Sequence, residues 1–172
     1  MAARGGVKRV CFHGAESTGK SVLAAKLAHE LGIVLVPEYG REYCETRGTD
    51  LTMADLLAIA AGQDAAMRAA AAPNPALLLL DTDPLMTAAW AAMLFGEVPP
   101  ALMAYPKADL YLLFDPDVPW IADGTRFFGT PAARAQFAAL AEQMLVRAGV
   151  PYRTISGGWP AREAAARAAL SG

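Results

Sequence analysis

Eight consecutive residues, Gly14-Ala15-Glu16-Ser17-Thr18-Gly19-Lys20-Ser21, constrain this chain more than any other stretch. They fit G-x-x-x-x-G-K-[ST], a loop whose backbone N–H groups turn toward phosphate oxygens and which works between a strand and a helix. Both flanks supply that context. Val10, Cys11 and Phe12 form a short apolar run that reads as a buried strand. Leu23, Leu27 and Leu31 recur at the spacing of one helix face, and Gly32 stands where a glycine ends a helix. On this reading Gly14, Glu16, Ser17, Thr18, Gly19, Lys20 and Ser21 surround the phosphates of a nucleotide. Lys20 reaches the β- and γ-phosphates, and the Ser21 hydroxyl is a ligand to Mg²⁺.

The rest of the chain alternates strand and helix signals. Ile33 to Val36 reads as a second strand stopped by Pro37, and Glu38 to Thr49 as loop or irregular turn. Thr52 to Ala72 reads as a long helix capped by Asp50 or Thr52 and ended by Pro73-Asn74-Pro75. Ala76 to Leu80 is apolar on both alternating faces, which suits a central strand of a parallel sheet. Pro84 to Phe95 and Pro99 to Tyr105 are predicted helices, and Leu110 to Phe114 a fourth strand. Asp117 to Gly129 reads as a loop. Thr130-Pro131 is an N-cap followed by proline at N1, opening a helix to Ala148 before Gly149. Tyr152 to Ile155 is a fifth strand, and Trp159 to Leu170 closes the chain as a helix. Such alternation predicts an α/β fold with a parallel sheet and right-handed crossovers.

At 172 residues the chain is expected to form one domain, 1–172. Hydrophobic residues make up 55% and charged residues 19%, which excludes disorder, and the net charge of −2 offers no basic field for nucleic acid or anionic lipid. The two cysteines, Cys11 and Cys44, lack metal-ligand spacing and read as reduced thiols. No apolar run approaches membrane-spanning length and no signal peptide is legible, so the expectation is a cytoplasmic protein.

In open α/β sheets ligands bind beyond the carboxyl ends of the strands. Besides the phosphate loop, three polar clusters fall at such ends: Glu38-Tyr39-Gly40-Arg41-Glu42, Asp81-Thr82-Asp83, and the stretch from Asp115 to Arg126. Asp81 is placed to hold Mg²⁺ directly or through water, or else to cap the next helix. Asp83 before Pro84 suits either an N-cap or a substrate contact. Glu38 is placed to take a proton from an acceptor hydroxyl, with Arg41 as a partner for a carboxylate or phosphate. Arg126, beside Asp123-Gly124, is the natural arginine of a mobile lid at about 117–130. His13 reads as structural and His29 as solvent-facing. Trp90, Trp120 and Trp159 read as packing residues, any one of which could stack on a base.

With these pieces in order, the chain resembles the ribosylnicotinamide kinase domain of the NadR family and its stand-alone relatives among P-loop kinases. The resemblance rests on the phosphate loop, on Glu38-Tyr39-Gly40-Arg41-Glu42, on Asp81-Thr82-Asp83 with Thr87 beyond, and on Trp120 followed by Asp123-Gly124 and Arg126. It runs from Lys8 to about Arg167. It implies a five-stranded parallel sheet with helices on both faces and a lid after the fourth strand. It implies ATP and Mg²⁺ as cofactors and the 5′-hydroxyl of nicotinamide riboside as acceptor, giving nicotinamide mononucleotide. By position, Lys20, Glu38 and Arg126 are then catalytic, and Glu38, Tyr39, Arg41, Asp83, Trp90, Trp120 and Asp123 line the acceptor side. Ser21 and Asp81 serve the metal. The chain departs from the family at Ala122, where an acidic residue is common, and reads as lacking the family's DNA-binding and adenylyltransferase parts.

Two other readings keep most of these residues. One is a kinase for another nucleoside or a vitamin alcohol such as thiamine. The other is a sensor that binds ATP or an NAD-type metabolite without turnover, although a sensor needs no base at Glu38. A GTPase is disfavoured because the only asparagine, Asn74, is followed by proline and cannot belong to N-K-x-D. Oligomeric state is not legible.

Overall fold

Strands that are apolar on both sides must be covered on both sides, and parallel strands need helical crossovers. The computed structural model, which describes residues 6–119 and 127–172, has that arrangement. In chain order the elements are β1 (Lys8–Gly14), α1 (Lys20–Leu31), β2 (Val34–Val36), α2 (Tyr39–Arg47), α3 (Met53–Ala71) and β3 (Leu77–Asp81). There follow α4 (Pro84–Phe95), α5 (Pro100–Met103), β4 (Leu110–Phe114), α6 (Pro131–Ala148), β5 (Tyr152–Ile155) and α7 (Trp159–Ser171). The sheet is five-stranded in the order β2-β3-β1-β4-β5, and every pairing is parallel. β1 is therefore the middle strand, and the loop that follows it emerges at the centre of the carboxyl edge.

The leucine run of β3 shows how one sequence feeds two cores. Leu79 points to the same side as Val10, Phe12, Leu112 and Phe114, where Ala24, Leu27 and Ala28 of α1 and Ala166, Ala169 and Leu170 of α7 cover it. Leu78 and Leu80 join Cys11, Tyr111 and Leu113 on the opposite side, under Met67 of α3, Leu85 of α4 and Leu145 of α6. A third cluster lies among α2, α3, α4 and α6 themselves, with α4 at its centre. The alanines of α4 (Ala88, Ala89 and Ala91 are wholly buried) allow its neighbours to approach closely.

Caps fall where the local chemistry places them. Thr52, not Asp50, caps α3: its hydroxyl accepts from Asp55 N while the Asp55 carboxylate accepts from Thr52 N, a capping box. Asp83 caps α4 and Thr130 caps α6, each followed by proline. The stretch Glu38 to Thr49, expected as loop, is a correction: residues 39–47 form α2. That helix has no apolar period to announce it, since Tyr43 is its only buried residue. It is held from outside by α3, with Tyr43 Oη donating to Asp55 Oδ1 at 2.5 Å. Leu31, expected on the buried face of α1, is 38% exposed, because that face is built from Ala24, Leu27 and Ala28. Among the described residues no helix is long and apolar enough to cross a membrane.

His13 of β1 confirms its structural reading. It is fully buried, and its Nε2 donates to Ala141 O of α6 at 2.8 Å, tying the middle strand to the helix above it. His29 is exposed. Burial, reinforced by the Lys20 charge, lowers the His13 pKa to about 4. The folded state therefore holds a neutral imidazole over a range in which the unfolded chain, titrating near 6.5, takes up a proton. Stability is lost as pH falls from about 6.5 toward 4 by this route, by on the order of 3 kcal/mol across the interval. His13→Gln keeps a donor near the Nε2 position without a titrating ring. Urea denaturation at a series of pH values should show a shallower acid loss in that variant than in the parent.

Candidate active site

The phosphate loop must aim its N–H groups outward, so its carbonyls have to find donors within the protein. Gly14 opens the loop at φ 134°, and a Cβ there would stand 2.6 Å from the Phe114 carbonyl oxygen, so only glycine fits. Ser17 holds a left-handed φ of 57° without being glycine. Inside the loop, Lys20 Nζ donates to Ala15 O at 2.6 Å and the Thr18 hydroxyl donates to the same carbonyl at 3.0 Å.

Two arginines support the loop from behind. Arg134 of α6 donates to Ser17 O at 3.0 Å and to Val118 O. Arg162 of α7, fully buried, donates from Nη1 to Thr18 O at 3.4 Å, from Nε to Gly157 O at 2.8 Å and from Nη2 to Asp115 O at 2.9 Å. It also pairs with Asp117. Trp159 is 53% exposed rather than a core residue, and its ring lies against Gly19.

Three carboxylates follow β2 and β3, and their environments separate their uses. Asp83 is 1% exposed and both of its oxygens are engaged: Oδ1 accepts from Leu85 N at 3.0 Å and Oδ2 from Tyr111 Oη at 2.5 Å. Burial pushes its pKa up to about 6 in spite of those bonds. Asp81, 4% exposed at the end of β3, accepts from the Ser21 hydroxyl, while its Oδ1 has no protein partner. Burial raises its pKa; Ser21, Lys20 and Arg41 pull it down. Between them Thr82 adopts a φ of 70°, with its N–H donating to Phe12 O at 3.0 Å. A threonine in that region is strained, and such strain clusters at functional sites. Glu38 stands at the N-cap of α2 but makes no side-chain bond to its own helix. Desolvation, then the nearby Asp81 charge, raises its pKa to about 7.

These pieces meet in one open cleft, whose free space, open solvent included, is about 970 Å³. One end is the phosphate loop, from Gly14 to Val22. Glu38, Gly40, Arg41, Cys44 and Gln63 form one wall, and Leu51, Leu56, Ile59, Met86, Trp90, Phe127 and Phe137 form an apolar and aromatic end. Trp90 is the hub of that end, with ring centroids of Phe127, Phe137 and Phe128 at 4.9, 5.0 and 5.2 Å. Glu16 reaches across to it: Oε2 accepts from Phe127 N at 3.0 Å and Phe128 N at 3.3 Å.

The residues expected from the sequence are therefore divided. Glu16, Ser17, Thr18, Gly19, Lys20, Ser21, Glu38, Arg41 and Trp90 line the cleft. Asp81 lies behind Ser21, and Asp83 is turned into the fold. The Tyr39 ring packs on Gly62 and beside Tyr43, with ring centroids 6.4 Å apart. Trp120, Asp123 and Arg126 lie outside the described residues. Sequence reading missed Gln63, Arg134 and Arg162. Arg162 had a signal: a cation in the first turn of a helix opposes the helix dipole and needs another reason to be there.

The residues also fit a hydrated divalent cation beside a bound nucleotide. The Ser21 hydroxyl and the unpartnered Asp81 Oδ1 are oxygen donors of the right class, and among the described residues no group of three or more His, Cys, Asp or Glu forms a protein-only cage. Magnesium is commonly held in this way, by one or two protein oxygens with phosphate and water completing the shell.

A G-x-x-x-x-G-K-S loop after the middle strand of this parallel sheet, with an aspartate closing the adjacent strand, defines the P-loop kinase fold. A family model described as an AAA domain matches residues 9–162, and the chain belongs to that family. It is 34% identical over 146 residues to the trifunctional NAD biosynthesis/regulator protein NadR of Escherichia coli, which covers 81% of this chain and 36% of that protein. A crystal structure of NadR protein in complex with NR superposes with a TM-score of 0.80 at 27% identity, covering 97% of this chain and 49% of that one. A thymidylate kinase from Ehrlichia chaffeensis shares the fold, with a TM-score of 0.65, 13% identity and 90% of each chain covered. The chain thus spans about a third of the curated relative's length.

Removing Arg162 tests the support of the loop. Arg162→Met leaves the carbonyls of Thr18, Asp115 and Gly157 without this donor in a buried setting, and should cost about 3–5 kcal/mol by urea denaturation. A loss below about 1 kcal/mol would mean that water replaces it.

Proposed function

We propose that this chain transfers the γ-phosphoryl group of ATP to the 5′-hydroxyl of nicotinamide riboside. The observation that carries the reading is the position of Glu38. Its carboxylate stands on the wall of a single cleft whose one end is a phosphate loop and whose other end is aromatic. In the reaction the 5′-oxygen bonds to the γ-phosphorus, the bridging β–γ P–O bond breaks, ADP leaves, and the hydroxyl proton passes to Glu38. A base is most effective when its pKa lies near the working pH, which the raised value of about 7 provides.

The backbone of the phosphate loop and Lys20 bind and orient the phosphates, as catalysis of phosphoryl transfer is mostly positioning and charge stabilisation. Ser21 and Asp81 would hold a magnesium ion, which would supply neutralisation of phosphate charge. Arg126 keeps the lid role that the family resemblance gives it. Two features support a cationic acceptor. The aromatic end of the cleft around Trp90 suits a pyridinium face, worth roughly 0.5–2 kcal/mol. The Asp81 charge near Glu38 adds negative potential on that wall, which favours a cation. The NR complex of the NadR relative supports the same assignment.

Glu38→Gln keeps the shape and removes the base. The expected result is a kcat loss of about 10²–10⁴ with ATP affinity retained. If only KM for the acceptor rises, Glu38 is a binding group and not the base.

Acceptor identity is decided by kcat/KM for nicotinamide riboside against uridine, cytidine, thymidine and thiamine under one condition. Nicotinamide riboside is expected to lead by at least tenfold over the neutral nucleosides, which lack the charge contribution. Thiamine is also cationic with a primary hydroxyl, so it separates recognition of charge from recognition of ribose. A neutral nucleoside or thiamine leading by that margin would overturn the acceptor, and absence of turnover with every acceptor would leave the sensor reading.

A further inference from the structure

Gln63 lies in the middle of α3 and is 3% exposed. A long amide buried in a helix otherwise rich in alanine needs both ends of its side chain satisfied. Both ends go to one place. Nε2 donates to Pro37 O at 3.2 Å, and Oε1 accepts from Tyr39 N at 2.8 Å. The two bonds bracket Glu38, gripping the peptide groups on either side of it.

The bond to Tyr39 N has a second consequence. Tyr39 N is one of the first N–H groups of α2, which no residue earlier in that helix can satisfy. An N-cap carboxylate ordinarily turns back to the second or third of these groups, not to the first. Here Gln63 takes the first from a neighbouring helix, and Glu38 makes no cap bond of its own. Glu38 lines the cleft instead. The residue before Gln63 completes the seat: at Gly62 a Cβ would stand 2.2 Å from Tyr39 Cε1, so the Tyr39 ring can lie on α3 only over a glycine. Gly40 lies against Ile59 of the same helix, where a Cβ would stand 3.4 Å from Ile59 Cγ2.

We infer that Gln63 is a positioning residue for the phosphoryl-transfer step, fixing the backbone on both sides of Glu38 so that its carboxylate meets the acceptor hydroxyl. The inference rests on the reading of Glu38 as the base. A misplacement of about 1 Å at a reacting group costs up to about 10²-fold in rate, which sets the size of the effect.

The test is a double-mutant cycle on the full chain, with ATP and whichever acceptor leads the panel above. Gln63→Met, Glu38→Gln and the double variant are compared for kcat and for acceptor KM, and amide hydrogen exchange is followed at Tyr39. Gln63→Met should lower kcat by about 10- to 100-fold, change KM by less than about threefold, and speed exchange at Tyr39. In the Glu38→Gln background the same substitution should change kcat by less than about twofold, because there is no base left to misplace. An equal loss in both backgrounds would overturn the inference, since Gln63 would then act by some route other than Glu38. A near-parent kcat for Gln63→Met, with Glu38→Gln still severely impaired, would overturn the inference alone. A near-parent kcat for Glu38→Gln would overturn the base reading and the inference together. Should Gln63→Met fail to fold, Gln63→Glu takes its place under the same kinetic criteria, with exchange at Tyr39 unchanged, since a carboxylate there still accepts from Tyr39 N but cannot donate to Pro37 O.

Discussion

The structure depends on one constraint: a loop that presents its N–H groups to a ligand must hide its carbonyls from water and still bond them. Ala15 O is taken by Lys20 and Thr18, Ser17 O by Arg134, and Thr18 O by Arg162. These donors come from α1, α6, α7 and the loop itself. Anchoring the loop therefore fixes where the last two long helices meet the sheet. Arg162 reaches further, to Asp115 O beyond β4 and to Gly157 O beyond β5, so the carboxyl ends of neighbouring strands are tied to the loop by one guanidinium. Arginine suits this task because its planar fork offers five donors and stays charged when buried.

A second constraint is the crowding of acidic groups beside that loop. Burial raises the pKa of each of these carboxylates, and the fold gives each a different partner. Asp83 is tied into the structure through Tyr111 and the start of α4. Asp81 is held by the Ser21 hydroxyl with one oxygen unpartnered. Glu38 makes no cap bond to its own helix and lines the cleft, while Gln63 takes the first N–H of α2. Asp81 and Asp83, two positions apart, thus have different chemistry, set by what each side chain meets.

The aromatic end of the cleft adds the third part. Trp90 comes from α4, Phe137 from α6 and Phe127 from the segment before it, and Glu16 of the phosphate loop binds the Phe127 and Phe128 amides. A residue of the phosphate loop therefore positions the aromatic end, so the two halves of the cleft are mechanically joined.

The chain order of strands and helices other than α2, the phosphate loop and the cap at Thr130 were legible in the sequence, and Thr52 and Asp83 were among its cap candidates, because each is specified by residues within one or two turns of one another. The apolar run of β3 likewise announced a strand covered on both faces. Other features needed the folded chain. α2 carries no apolar period and exists because α3 holds it. Gln63 gives no sequence sign that its amide brackets Glu38, 25 positions away. Arg162 finds Thr18 across 144 positions. The sequence by itself determined the local elements and the identity of the loop. The tertiary structure decided which carboxylate faces the cleft, what supports the loop, and where the aromatic wall stands, since burial and partnership at these sites come from contacts between distant segments that no local pattern encodes.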